Sequence, residues 1–131
     1  MTHYTKKNIR ELDNAAEEFG LAPDLEARFG RKAVEARRGG FSYQKMAPNF
    51  RQPFGHRHKE QEEIYVVLSG AGRVKVNDDL IDLGAFDALR VDPDAWRAFE
   101  AGDDGLEYIV FGAGDSGDSE TSQDFWPRDD A

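Results

Sequence analysis

The sequence has 131 residues and contains no cysteine. This absence excludes thiol catalysis, metal sites built on thiolates, and a fold held together by disulfides. The longest apolar run, Ile64 to Leu68, is far shorter than the roughly 20 residues that a membrane-spanning helix requires. Residues 1–7 also lack the apolar stretch typical of a signal peptide. We therefore expect a cytoplasmic protein that does not associate with membranes.

Positive charge is scarce, since 17 Lys and Arg residues face 26 Asp and Glu residues and leave a net charge of −9. Nine of the acids lie in residues 101–131, where Arg128 is the single base. Such a composition is typical of a solvated tail rather than of an acidic working surface. The chain also lacks a basic stripe and any run in which Lys and Arg alternate with aromatics, so nucleic acid is not an expected partner. The length suits one domain with a substantial hydrophobic core.

Helical periodicity is confined to the N-terminus, where apolar residues recur at helical spacing between Asn8 and Phe19. This predicts one short helix, followed over residues 23–30 by a further helical turn or an apolar strap. From Lys32 onward, short apolar stretches alternate with turn residues, which is typical of an all-β protein. The predicted strands lie near Ala33–Arg37, Phe41–Met46, Glu62–Leu68, Gly72–Val76, Asp79–Leu83, Ala88–Val91, Trp96–Ala101 and Leu106–Phe111. No helix of crossover length separates them, so we expect antiparallel sheets in a sandwich or barrel.

This pattern divides the chain into three segments. An N-terminal helix and strap over residues 1–31 packs on a barrel over residues 32–112, and an acidic, partly mobile tail covers residues 113–131. Phe125 and Trp126 are too apolar for a plain linker, so we expect them to dock back on the protein, at a place that the sequence does not identify.

The strand Glu62–Leu68 lacks a clean alternation of polar and apolar residues. If Glu63 and the alternate residues Tyr65 and Val67 point into the barrel, then Ile64, Val66 and Leu68 form an apolar stripe outside it. Such a stripe requires cover from the terminal segments or from a second copy of the chain. We expect a homodimer.

The stretch from Gly55 to Gly70 contains the candidate metal ligands, because two of the three histidines of the chain, His56 and His58, lie in it. Positions two apart on an extended strand share one face, so both imidazoles can reach one ion. After a turn, the next strand can return Glu62 or Glu63 to that face. Two imidazoles and one carboxylate suit Fe, Mn, Ni, Cu or Zn. The alternative is a pair of surface histidines in an ordinary solvated acidic run.

With these residues the sequence resembles the cupin superfamily. The first cupin motif has a Gly shortly before His-x-His, then three or four residues, a Glu, six residues and a Gly, and His56, His58, Glu63 and Gly70 match this spacing. The second motif has a counterpart in residues 87–99. The resemblance implies a double-stranded β-helix, or jelly-roll, barrel with one interior cavity. The predicted short N-terminal helix precedes this barrel. It also implies a divalent-metal site at His56, His58 and Glu63.

The second motif departs from the family pattern at the position of the fourth metal ligand. Arg97 stands where a His is expected, Phe86 where the leading Gly is usual, and Asp94 where the Gly of a Pro-Gly pair is usual. An Arg cannot ligate a cation, because its guanidinium stays protonated. Three arrangements remain open: a three-ligand ion with Arg97 turned aside, a metal-free site in which Arg97 pairs with Glu63, or an ion beside which Arg97 binds the carboxylate or phosphate of a ligand.

Three further residues are candidates for the cavity wall if strand alternation turns them inward, namely Gln44, Tyr65 and Arg90. The alternative places Tyr65 in the core and Arg90 in solvent.

The fold leaves the activity open, because this superfamily hosts unrelated functions. We expect a small cupin that binds a divalent metal in the barrel and a small anionic metabolite beside it. If it is an enzyme, it is a metal-dependent oxygenase or isomerase that acts on a small molecule. The alternative is a metal-free cupin that binds a small molecule, in which Arg97 pairs with Glu63 or with the ligand. A structural protein that binds partners through Phe125 and Trp126 is a third class.

Overall fold

The computed structural model of the chain describes residues 3–113 and 117–126. In these residues it contains two short 3-10 turns, Ile9–Glu11 and Ala15–Glu17, and eight strands. The strands are β1 Leu25–Phe29, β2 Gly39–Met46, β3 Gly55–His58, β4 Glu62–Val76, β5 Asp79–Gly84, β6 Ala88–Val91, β7 Arg97–Ala113 and β8 Ser119–Ser122. No helix in the described residues is long and apolar enough to cross a membrane.

The strands form one curled antiparallel sheet. Its main path runs β1-β2-β7-β3-β8, and β4 pairs with β5, β6 and β7. All of these pairings are antiparallel. The predicted all-β jelly-roll barrel is therefore confirmed.

Two long strands, β4 and β7, each join a pair of predicted strands. They run beside each other with register shifts between Val67 and Ser69 and between Gly70 and Gly72. Gly70 has φ +79°, and a Cβ there would lie 2.2 Å from the Gly105 carbonyl oxygen. The predicted breaks near Gly70 and Gly102 are therefore bulges within continuous strands, because glycine lets the two backbones approach closely.

One strand was predicted in the wrong place. Leu25–Phe29, expected as a helical turn or strap, is strand β1, which pairs with β2 from Leu25 opposite Met46 to Phe29 opposite Ser42. Residues 33–37, expected as a strand, belong to a turn in which Glu35 adopts φ +58°. Pairing with β2 buries Leu25 and Ala27, and the turn offers no comparable burial.

Two 3-10 turns, separated at Asn14, stand in place of the predicted N-terminal helix. The Asn14 side chain accepts hydrogen bonds from the backbone N–H of Ala16, at 3.1 Å, and of Ala27, at 2.9 Å. It therefore starts the second turn and fastens it to β1, which interrupts a continuous helix.

The C-terminal segment docks on the barrel, as predicted for Phe125 and Trp126. Strand β8 pairs with β3 along its whole length, from Gly55 opposite Ser122 to His58 opposite Ser119. The Trp126 Nε1 donates to the Gln52 carbonyl at 2.8 Å. Residues 114–116 and 127–131 of the predicted tail lie outside the described residues.

Three aromatic rings pack against one another in the interior of the barrel. Tyr65, Phe99 and Tyr108 are each at most 3% exposed, and their ring centroids are 4.7 to 6.0 Å apart. On the outer face of the same sheet, Ile64 is 41% exposed and Leu68 37%. The predicted inward and outward phases of β4 are thus observed.

Candidate metal centre

Two strands carry the predicted histidines and the predicted arginine to one point. His56 on β3 is the register partner of Arg97 on β7. His56 and His58 lie on one face of β3, with their ring centroids 5.2 Å apart and their planes nearly perpendicular. The side chain of His56 is 26% exposed and that of His58 10% exposed, so the cluster opens toward solvent on the His56 side.

One carboxylate oxygen, Glu63 Oε1, lies at the centre of the cluster. The Nε2 atoms of His56 and His58 are 3.4 and 3.3 Å from it. The Tyr65 hydroxyl donates a 2.5 Å hydrogen bond to the same oxygen, and the Arg97 Nη2 lies 3.4 Å from it. Four polar groups thus converge on one buried atom.

Arg97 is completely buried, with no exposed surface. Its Nη1 donates to the backbone carbonyls of Pro93, at 3.3 Å, and Ala95, at 2.9 Å, which fixes the guanidinium plane. Nε and Nη2 make no hydrogen bond, although Nη2 is close to Glu63. One edge of the guanidinium fork is therefore anchored, and the other faces the cluster with unused donors.

These contacts decide the protonation of the cluster. Burial raises the pKa of Glu63, but the contacts with His56, His58 and Tyr65 outweigh burial and hold it well below the ordinary range. Burial lowers the pKa of His58, but its contacts with Glu63 and Asp118 raise the pKa by more, so the net effect is an increase. Burial and the nearby Glu63 charge keep the Tyr65 phenol protonated, because both raise its pKa. Glu63 is therefore an anion at neutral pH, and its Oε1 accepts the hydrogen bond of the Tyr65 hydroxyl.

A residue that sequence reasoning missed completes the surroundings of His58. Asp118, which immediately precedes β8, lies with its Oδ1 2.8 Å from the His58 Nδ1. It falls in a stretch rich in Gly, Ser and Asp that is typical of a linker. No local signal distinguishes it, because the contact spans 60 positions of the chain.

The structure brings together only part of the predicted cavity wall. Tyr65 belongs to the cluster. Gln44 lies on the interior face of β2, but its amide donates to Ser42, and no hydrogen bond joins it to the cluster within the described residues. Arg90 lies on the outside, with its side chain 57% exposed and paired with Asp92 and Glu62. Its register partner is Ile64, an outward-facing residue, so the expectation that Arg90 lines the cavity is wrong.

The donor set fits a divalent metal ion. One ligand atom from each of His56, His58 and Glu63 lies within 4.8 Å of the others. Two ligand atoms that are each about 2.1 Å from one ion at a near-tetrahedral angle lie about 3.4 Å apart. The observed separations from Glu63 Oε1 to the two imidazoles match this value. The buried His58 Nε2 also has no hydrogen-bond partner, which leaves its lone pair for an ion.

Comparisons with known proteins agree with this architecture. The family model described as "Cupin domain" matches residues 42–112. A cupin protein from Bacteroides fragilis is 24% identical, with a TM-score of 0.72 over 89% of each chain. A Streptomyces PAC13 variant solved with uridine is 13% identical, with a TM-score of 0.70 over 93% of this chain and 92% of that one.

A larger enzyme contains the same fold as one part. Oxalate decarboxylase from Bacillus subtilis is 15% identical, with a TM-score of 0.76 over 93% of this chain but only 33% of that one. No match was found among curated proteins. At these identities the likeness to solved structures concerns the fold.

Proposed function

This chain belongs to the cupin family, and from that premise we propose that it binds one divalent transition metal ion and, beside the ion, a small anionic metabolite. His56, His58 and Glu63 hold the ion, which is Fe, Mn, Ni, Cu or Zn by the chemistry of the ligands. The observation that carries the proposal is the buried His58 Nε2, which faces the carboxylate of Glu63 without a hydrogen bond.

Net charge supports an anionic ligand. Glu63 and Arg97 cancel each other, and both are buried. A divalent ion added to this pair leaves two positive charges in a site that one further carboxylate, Asp118, offsets only in part. A buried excess of positive charge is costly, so the site with a metal favours a small carboxylate or phosphate ester. This anion enters from the His56 side, where the cluster is open.

The residues of the chain define what the site can do. When bound, the ion supplies Lewis acidity to an oxygen of the anion. Arg97 adds fixed positive charge on the buried side, held in place by two backbone carbonyls. The Tyr65 hydroxyl keeps one oxygen of Glu63 oriented toward the imidazoles. Tyr65, Phe99 and Tyr108 fill the space behind the cluster, so the ligand is small.

A second candidate function is a metal-free cupin that binds a small molecule. The observation that favours it is the 3.4 Å separation between the Arg97 Nη2 and the Glu63 Oε1, with the arginine fully buried. In that case the guanidinium takes the role of the cation. The ligand then contacts the cluster through the exposed edge of His56.

Elemental analysis of the untagged protein, purified without chelator, tests the proposal. We expect close to one divalent ion per chain in the wild type and its loss in His58→Ala. A His3→Ala variant, which changes an exposed histidine outside the cluster, serves as the control and should keep the ion. Absence of any ion in the wild type after reconstitution with each of the five metals would reject the proposal in favour of the metal-free candidate.

Calorimetry with oxalate, succinate and inorganic phosphate then tests the anion. Binding that requires the metal supports the charge argument. Binding of equal strength with and without the metal contradicts it.

We also propose that the chain forms a homodimer through its outer stripe. Ile64 is the register partner of Phe111 on β7, and Phe111 is 47% exposed. Together with Leu68 they form an apolar surface that a second copy can cover. Sedimentation equilibrium of the wild type and of Ile64→Glu tests this, with dissociation expected for the variant.

A further inference from the structure

The C-terminal segment reaches the candidate metal centre through one side chain. Asp118 accepts a hydrogen bond from the His58 Nδ1 through its Oδ1, at 2.8 Å. Its Oδ2 accepts from the backbone N–H groups of Glu60, at 2.8 Å, and Gln61, at 3.0 Å. The same carboxylate therefore fastens both the imidazole and the turn that leads from β3 to β4.

The segment that carries Asp118 is itself held on the barrel at several points. Strand β8 pairs with β3 at four register positions. The Phe125 ring lies so close to Gly55 that a Cβ there would be 2.6 Å from it, and the Lys75 ammonium lies 3.7 Å from the ring centroid. The Arg51 guanidinium lies 4.3 Å from the centroid of the Trp126 ring. Asp118 is thus placed by packed structure and not by a loose tail.

The chemistry of a carboxylate decides the tautomer of His58. An ionised carboxylate only accepts hydrogen bonds, and the two backbone N–H groups held by the Asp118 Oδ2 leave its Oδ1 as the acceptor that faces the His58 Nδ1. The neutral imidazole must therefore carry its hydrogen on Nδ1. Its lone pair is then on Nε2, the atom 3.3 Å from the Glu63 Oε1.

We propose that Asp118 is a positioning residue that holds His58 in the Nδ1–H tautomer and so makes Nε2 the ligand atom of the centre. The consequence for metal binding rests on the proposed function, whereas the tautomer itself does not. A carboxylate that orients a ligating imidazole typically changes metal affinity 10–100-fold when it is replaced. The C-terminal segment is accordingly a part of the site.

An Asp118→Asn variant tests this, because the amide reverses the hydrogen bond. The N–H groups of Glu60 and Gln61 require an acceptor, so they retain the amide oxygen and turn the amide NH₂ toward the His58 Nδ1. This arrangement selects the Nε2–H tautomer, as an amide beside an imidazole does elsewhere. Nε2 then becomes a donor to Glu63 and loses its lone pair.

The readout is ¹⁵N NMR of the imidazole nitrogens in metal-free protein, recorded above the titration of His58 followed in the same spectra. We expect a protonated Nδ1 in the wild type and a protonated Nε2 in Asp118→Asn. Glu120→Gln is the matched control, since Glu120 lies on the same segment and pairs with Arg57, at 3.0 Å, rather than with the cluster. It should leave the tautomer unchanged.

Zn²⁺ titration against a chromophoric chelator adds the second readout. We expect affinity to fall 10–100-fold in Asp118→Asn and to stay within a factor of about three in Glu120→Gln. A wild-type His58 protonated on Nε2 would overturn the proposal, and this measurement needs no variant to fold. If Asp118→Asn moves the hydrogen from Nδ1 to Nε2 but the wild type binds no metal, Asp118 is still the positioning residue. That result rejects only the proposed metal function.

Discussion

Replacement of Arg97 by methionine should strengthen metal binding. Arg97→Met removes a buried positive charge and keeps an unbranched side chain of similar reach. The Nη2 atom lies 3.4 Å from the Glu63 Oε1, and an ion bound to that oxygen at about 2 Å lies within about 5.5 Å of Nη2. The guanidinium of the wild type therefore opposes the ion at close range.

Coulomb's law sets the size of the effect. One charge and a double charge 5.5 Å apart repel each other by about 6 kcal/mol at an effective dielectric constant of about 20. The charge of a guanidinium is spread over three nitrogens, and a bound anion offsets part of it, so we take about half of this value. A difference of about 3 kcal/mol corresponds to roughly a 100-fold increase in affinity.

Zn²⁺ titration against a competing chelator measures this change in the wild type, Arg97→Met and Arg97→Lys. The lysine variant keeps the charge and should bind within about tenfold of the wild type. Thermal melts confirm that each variant is folded, which matters because Glu63 loses its buried charged partner and retains Tyr65, Gln61 and the two imidazoles. Affinity in Arg97→Met that equals or falls below that of the wild type would refute the electrostatic reasoning.

Two further predictions concern stability. Phe86→Gly should stabilise the fold by about 0.5–1 kcal/mol in urea denaturation. Phe86 adopts φ +69° and is 85% exposed, so its backbone is strained and its ring contributes little to packing. Phe86→Ala keeps the backbone strain, and equal gains in stability for both variants would contradict this reason. The Ser69 and Tyr43 hydroxyls hold the pKa of Glu107 below its ordinary value of 4.5, so this carboxylate stabilises the fold above that pH, and the contribution disappears as the pH falls through the lowered value. The stability difference between wild type and Glu107→Gln should therefore be largest near neutral pH and shrink in acid, whereas a difference that grows in acid would show that the sign is wrong.

The sequence predicts the part of the site that is local along the chain. His56 and His58 are separated by one residue on one strand, so spacing brings them to one face, whereas spacing leaves Glu62 or Glu63 as the carboxylate and the cupin motif selects Glu63. The inward phase of Glu63 and Tyr65 follows from the same alternation. Arg97 is identified because the family pattern has a His at its position, and its place in the cluster agrees with that alignment.

The remainder depends on pairings between distant segments. Arg90 has the right spacing to face inward, but its register partner is Ile64, so it faces solvent. Leu25–Phe29 alternates apolar and charged residues, but it is only five residues long, and pairing with β2, which buries Leu25 and Ala27, is what makes it a strand. The role of Asp118 depends on β8 pairing with β3, and a four-residue polar strand has no apolar alternation to reveal it.

The burial of Arg97 couples the two ligands of the proposed site. Without a metal, Glu63 and the guanidinium cancel each other, and an incoming anion would have to compete with Glu63 for it. With a metal, Glu63 is shared between the ion and the guanidinium, and the excess positive charge attracts the anion. In the proposed site we therefore expect each ligand to increase the affinity for the other, and thermodynamic linkage requires the two factors to be equal. A His at position 97 would remove this coupling, because a neutral imidazole ligates the ion and adds no charge. If the site holds a metal as proposed, we expect the arginine to make metal retention depend on the anion, unlike in a cupin with four metal ligands.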